Sequence, residues 1–155
     1  MKEEFSPDGI TALFEQAARL VHGQGFSGGL TPAQWAALRY FDEAPPFNRT
    51  MASLARFHGM TLAPVTRTVR TLMDKGYVER RPNPKSRRAD LIIVNEEGKK
   101  VLETDPRSCL VEIIGNVSLE DRGALVRAMR IILDGLLKHS TSVVAETIPE
   151  DLERD

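Results

Sequence analysis

The chain has 155 residues, of which 41% are hydrophobic and 28% charged, with a formal net charge of −1. That length and composition fit one core domain with an arm, and they exclude a disordered or collagen-like chain. No apolar run approaches the roughly 20 residues that span a bilayer, the start MKEEFSPDG lacks a signal-peptide apolar stretch, and a single cysteine cannot form an internal disulfide, so a reducing cytoplasm and no membrane partner are expected.

A first helix is predicted over 8–22, opened by Ser6-Pro7, with Ile10, Leu13, Phe14, Ala17, Leu20 and Val21 as its apolar stripe. Gly23, Gly25, Gly28 and Gly29 then form a loop. Thr31-Pro32-Ala33-Gln34 is a capping box opening a second helix, whose face carries Trp35, Leu38 and Phe41 and which stops before Pro45-Pro46. A short third helix is predicted over 51–58, capped by Asn48 or Thr50, with Leu54, Ala55 and Phe57 as its core face. Gly59 suits a left-handed turn. Thr61 caps the fourth helix, Pro64 falls in its first turn, Val65, Val69, Leu72 and Met73 face inward, and Gly76 ends it.

After Gly76 the period changes. Residues 77–81 read as a strand, 82–86 as a turn and 89–94 as a β-branched return strand. Asn95 with Glu96-Glu97 caps a fifth helix through Leu102, and Asp105-Pro106 interrupts the pattern. Helix resumes from Leu110 to Ile114 and stops at Gly115-Asn116; Ser118 with Asp121 starts a last helix with a wide apolar face from Leu125 to Leu137. From Ser140 the chain turns polar, which predicts a frayed tail over 140–155. The fold class is therefore mainly α with a small β hairpin (α+β). The divisions are a helix and loop over 1–29, a helix-turn-helix with hairpin over 30–94, helices over 95–139, and the tail.

Charge is unevenly spread. Residues 49–88 hold ten basic and two acidic residues, a local charge of +8, while the remainder carries −9. A one-signed block in a neutral chain is an electrostatic footprint for a polyanion; its bland counterpart is a solvated basic face. Helix, tight turn, amphipathic helix and basic hairpin together make a winged helix-turn-helix that presents its second helix to the major groove of double-stranded DNA. With Val65, Val69 and Leu72 committed inward, the open face is Thr61, Ala63, Pro64, Thr66, Arg67 and Arg70. Arg67 can pair bidentately with guanine or bind a phosphate, and Ala63 and Pro64 allow close approach. Arg70 reaches a phosphate. On the hairpin, Arg87 and Arg88 suit the narrow minor groove, and Arg80, Arg81 and Lys85 suit phosphates, with one of the paired arginines alternatively bonding inside the hairpin.

The stretch LTPAQWAALRYF and the stretch SLARFHGMTLAPVTRTVRTLMDKGYVERRPNPKSRRADLIIVNEEGKKVL resemble the MarR family of winged-helix transcription regulators, over roughly residues 30–102. The resemblance implies a homodimer through the first and last two helices, a pseudo-palindromic operator, and repression relieved by a ligand or oxidant. It also points to an effector cleft involving Phe14, Trp35 and Arg39, where aromatic walls and one cation suit a small aromatic or phenolic acid; the plainer use of Phe14 and Trp35 is core. Ser86 replaces the acid that usually precedes the paired wing arginines, which implies a looser wing, and Asp105-Pro106 implies a kinked arm.

Other chemistries find little support. Cys109, beside Leu110 and Val111, is read as a buried structural thiol. His22, His58 and His139 lack metal-ligand spacing, and no phosphate loop, nucleophile elbow or zinc signature is present, so neither an enzyme nor a cofactor is expected. A winged helix can also serve as a protein–protein adaptor without reading DNA, and that is the alternative.

Overall fold

The computed structural model describes residues 5–146. Its seven helices and one hairpin run α1 (Pro7–Gln24), α2 (Pro32–Glu43), a 3-10 turn (Pro46–Asn48), α3 (Met51–His58), α4 (Leu62–Asp74), β1 (Val78–Asn83), β2 (Ser86–Val94), α5 (Glu96–Leu102), α6 (Arg107–Gly115) and α7 (Leu119–Glu146). This is the expected α+β winged helix-turn-helix.

The starts are chemically specified. Ser6 Oγ accepts from Gly9 N at 3.0 Å, with proline in the first turn of α1. Thr31 and Gln34 form a reciprocal capping box, 3.3 and 3.1 Å, at α2. Thr50, not Asn48, caps α3 by accepting from Ser53 N at 3.1 Å. Asn95 accepts from Gly98 N at 3.0 Å and donates to Gly76 O at 2.8 Å, tying the exit of the hairpin to the end of α4.

One core unites the head. Trp35, Leu38 and Phe41 of α2 meet Leu54 of α3, Val65, Val69 and Leu72 of α4, and Val78, Ile92 and Val94 of the hairpin. The hairpin is antiparallel, with Val78 opposite Val94 and Arg81 opposite Leu91. Its register then slips until Asn83 faces Ser86, so Arg87 to Asp90 bulge against Pro82. A proline has no N–H to give a ladder, which suits that break.

Several expectations change. The strands extend further toward the tip than predicted, leaving only Pro84 and Lys85 between them. α6 starts at Arg107 because Asp105 Oδ1 accepts from Arg107 N at 2.7 Å, so Asp105-Pro106 opens a helix as well as breaking one. α7 continues through Glu146, past the tail predicted from Ser140; the rest of that tail lies outside the described residues. Phe57 is 65% exposed instead of core, because Leu54 and Ala55 fill the inward face of a two-turn helix and Phe57 stacks on Tyr40, ring centroids 5.2 Å apart. Cys109 is exposed instead of buried, since nothing among the described residues covers that face of α6.

The arm helices are unlike the head. Neither α1 nor α6 holds a buried residue. Leu13, Leu20, Ile113, Ile131 and Leu136 are all more than half exposed. No helix among the described residues is long and apolar enough to cross a membrane.

Candidate nucleic-acid interface

The turn between α3 and α4 is set by Gly59, at φ 61° and ψ 38°. Met60 N donates to Ala55 O at 2.9 Å and Gly59 N to Arg56 O at 3.2 Å, closing the helix end. A β-carbon at Gly59 would be strained by the left-handed backbone and would press on Leu137 of α7 at 3.3 Å.

α4 divides as its sequence demands. Val65, Val69 and Leu72 are buried. Thr61, Ala63, Arg67 and Arg70 are exposed, and Pro64 and Thr66 are half-buried. Thr61 holds the cap position but its side chain takes no capping bond, which corrects the sequence reading, and the residue is exposed. Thr66 Oγ1 donates to Leu62 O at 2.9 Å, so its hydroxyl retains only acceptor capacity toward an incoming group. Among the described residues, neither Arg67 nor Arg70 forms an ion pair within the fold.

The basic hairpin is less free. Arg80 pairs with Asp90 at 3.6 Å, and Arg81 pairs with Glu79 on its own strand. Lys85 Nζ lies 3.7 Å from the ring centre of Phe47. Arg49, part of the basic block, is spent on structure: its Nε donates to Ala44 O at 2.9 Å and its Nη2 to Asp42 O at 3.3 Å. Arg87 and Arg88 are exposed in the bulge and, among the described residues, enter no ion pair. The serine that stands for an acid does work locally, accepting from Arg88 N at 3.3 Å, and Asn83 Oδ1 accepts from Lys85 N at 3.0 Å.

A cavity of about 580 Å³ opens behind the head, between α2, the turn after it, the end of α3 and the start of α6. Arg39, Tyr40, Glu43, Phe57, His58 and Arg107 contribute its chemistry. Arg39 Nη1 reaches Asp105 Oδ1 at 2.7 Å and Arg107 Nη2 reaches Glu43 Oε1 at 2.5 Å. Burial, and then the nearby Arg39 charge, hold the His58 imidazole below its usual range. Burial raises the Tyr40 phenol, while Ser53 and Arg56 oppose that shift. A second recess of about 390 Å³ lies on the other side of Arg39, against α1 and Leu110.

The expected effector trio is not brought together. Arg39 lines both spaces. Trp35 is fully buried, with Nε1 donating to Ser27 O at 3.1 Å, so it is core. Phe14 is 38% exposed on α1 and lines neither space. Tyr40, Phe57 and Arg107 supply the aromatic and cationic groups instead. Sequence alone signalled these poorly, because their assembly depends on α6 folding back against α2.

Residues 28–89, the second half of the glycine loop through most of the wing, match the MarR family model. Over that stretch the chain is similar to the MarR family. It is 26% identical over 147 residues to the transcriptional activatory protein BadR of Rhodopseudomonas palustris, covering 89% of this chain and 84% of that protein. A probable transcriptional regulator from Pseudomonas aeruginosa is 26% identical, with a TM-score of 0.64 over 81% of this chain and 97% of the other. Sco3205, a MarR family transcriptional regulator from Streptomyces coelicolor solved in complex with DNA, shares the fold at 23% identity and TM-score 0.66, over 82% and 85% of the two chains. Members of the MarR family are transcription regulators, not enzymes, and this chain's outward chemistry agrees with that class.

Proposed function

We propose that this chain is a transcription regulator of the MarR family, a cytoplasmic homodimer that binds a pseudo-palindromic operator and represses transcription until a small organic anion is bound. The observation that carries the reading is the outward face of α4: Arg67 and Arg70 are exposed and not committed to ion pairs among the described residues. Arg67 reads base edges, and Arg70 with Thr61 and Thr66 holds register on phosphates. Ala63 and Pro64 leave room for the groove floor. Arg87 and Arg88 enter the flanking minor groove. Arg80 and Arg81 reach phosphates once they exchange their weak surface partners, since exposed ion pairs contribute only about 0–1 kcal/mol, and Lys85 reaches one from its seat on the Phe47 ring.

The uncovered apolar faces of α1, α6 and α7 support the dimer, because exposed apolar stripes of that extent are what a partner copy covers. Two copies of α4 then read two half-sites about 34–36 Å apart. For the effector, the Arg39 cavity replaces the trio expected from sequence. Tyr40 and Phe57 offer aromatic walls, and Arg39 and Arg107 offer cations already holding carboxylates. An aromatic carboxylate would exchange for one of those.

A mobility-shift titration on the DNA upstream of its own gene tests the reading. Salt-sensitive, sequence-selective binding by a dimer is expected. Binding equally weak on all duplexes would favour the winged-helix adaptor instead. In vitro transcription on the same fragment decides the sign, which matters because the BadR relative is named as activatory.

A further inference from the structure

The 44–49 segment faces two ways. On one side Ala44, Pro45 and Asn48 wall the Arg39 cavity. On the other, the Phe47 ring lies against Lys85 Nζ near the tip of the wing, at 3.7 Å. Arg49 O also accepts from Ile92 N of β2 at 2.7 Å, so the segment is hydrogen-bonded to the wing as well. Between these two faces the segment is stiff. Pro45 and Pro46 fix consecutive backbone torsions. Tyr40 Oη donates to Asn48 O at 2.9 Å, and Arg49 Nε closes onto Ala44 O at 2.9 Å. A short segment held this way passes on a displacement instead of absorbing it. Phe47 is 46% exposed and outside the core cluster, and its ring carries the Lys85 cation.

We propose that Phe47 is a positioning residue for the wing, and that the 44–49 segment couples occupancy of the Arg39 cavity to the seat of Lys85. The coupling rests on the ligand-responsive reading of that cavity. An occupant pressing on Pro45 and Asn48 shifts the Phe47 ring, and Lys85 loses the platform that holds it toward a flanking phosphate. Wing engagement then falls without any change in α4 itself.

The test uses the full chain and a dimer-competent preparation. Phe47→Leu keeps apolar bulk and removes the ring; Phe47→Tyr keeps the ring. Ala36→Phe fills the cavity with no ligand, since Ala36 lines it, and Ala36→Leu is the milder filler if the larger one fails to fold. Operator affinity is read by fluorescence anisotropy across a salt series, with melting curves confirming each fold. Phe47→Leu should weaken binding by about fivefold, one such contact being lost per protomer. It should also make the salt slope shallower by about one per protomer. Phe47→Tyr should restore both. Filling the cavity should weaken the parent on the order of tenfold, yet by less than about twofold in the Phe47→Leu background, which is the non-additivity that coupling requires. A parental salt slope in Phe47→Leu, or additive effects of the two substitutions, overturns the proposal. Calorimetry with 2-naphthoate separates the underlying reading. If naphthoate does not bind but the substitutions remain non-additive, the anion reading falls and the coupling stands. If it binds and weakens DNA binding equally in both backgrounds, only the coupling falls.

Discussion

Asp105→Asn is the sharpest probe of how the head joins the arm. Asp105 lies between α5 and α6 and contacts Arg39 of α2 at 2.7 Å, with side-chain exposures of only 12% and 21%. At that separation and an effective dielectric near 20, the direct attraction is about 6 kcal/mol before desolvation is subtracted. Removing one partner of a fully buried pair costs about 3–5 kcal/mol. Partial solvent access reduces that, so about 2–3 kcal/mol is expected here. Asparagine keeps an oxygen to accept from Arg107 N, so the start of α6 survives and the charge alone is tested. For a chain of this size the melting temperature should fall by about 5–10 °C. The assay is thermal unfolding at a fixed protomer concentration, because a dimer's melting point depends on concentration. Arg39→Met in the Asp105→Asn background should then cost far less than it does alone. A single-mutant melt within a degree of the parent, or strictly additive effects, would refute the claim that this pair fastens head to arm.

Other outcomes follow from the same geometry. Arg67→Ala should relax base preference and cost about 1–3 kcal/mol in operator binding; equal affinity of parent and variant across operator variants would remove it from the reading face. Arg88→Ala should weaken binding and flatten the salt dependence, and an unchanged slope would mean the bulge does not reach DNA. Gly98→Ala would place a β-carbon 2.2 Å from Tyr77 O and 2.7 Å from Val94, so α5 must lift from the base of the wing and the melting temperature must drop. His58, lowered by burial and by Arg39, favours its neutral form in the fold. Its contribution to stability is therefore complete above its ordinary value near 6.5 and is lost as pH falls through its lowered value; His58→Gln should flatten that acid-side decline in melting temperature.

What could be read from sequence was what local chemistry dictates. The caps at Ser6, Thr31 and Asn95 and the glycine at 59 are short-range signals, and each formed. The inward set of α4 follows from helical period alone, which is why its outward face was legible too. Phe57 failed because an eight-residue helix offers too few turns for periodicity to separate core from rim. Cys109 failed because apolar neighbours in sequence do not imply cover in space. Sequence reading assigns the wing cations to DNA and lets one of the paired arginines bond inside the hairpin, yet Arg80, Arg81 and Lys85 all have partners, whose geometry depends on the hairpin register and on the loop after α2. The Arg39–Asp105 pair joins residues 66 apart, and no spacing rule announces such a contact.

Two routes from the Arg39 cavity to DNA make different demands, and they can be told apart. One runs through Asp105: if an anion takes Arg39, the pair that fastens α2 to the start of α6 opens, and in the proposed dimer the spacing of the two heads changes. That penalises every contact at once, because both copies of α4 leave register together. Affinity should then fall most for the sequences that Arg67 reads, and their ranking above other duplexes should collapse. The other runs through Phe47 and removes only what Lys85 contributes, which changes the salt slope while leaving base preference intact. The same titration therefore separates them: a loss of affinity with an unchanged base-preference ranking and a shallower salt slope belongs to the wing, whereas a loss of ranking belongs to the arm. Asp105 meets the cavity through Arg39, and Phe47 through the segment that holds Ala44, Pro45 and Asn48, so an anion bound at Arg39 can work both. An anion on Arg39 opens the short, buried ion pair and so adds the arm route, whereas the uncharged Ala36→Phe side chain has nothing to take Arg39 from Asp105 and works the wing alone.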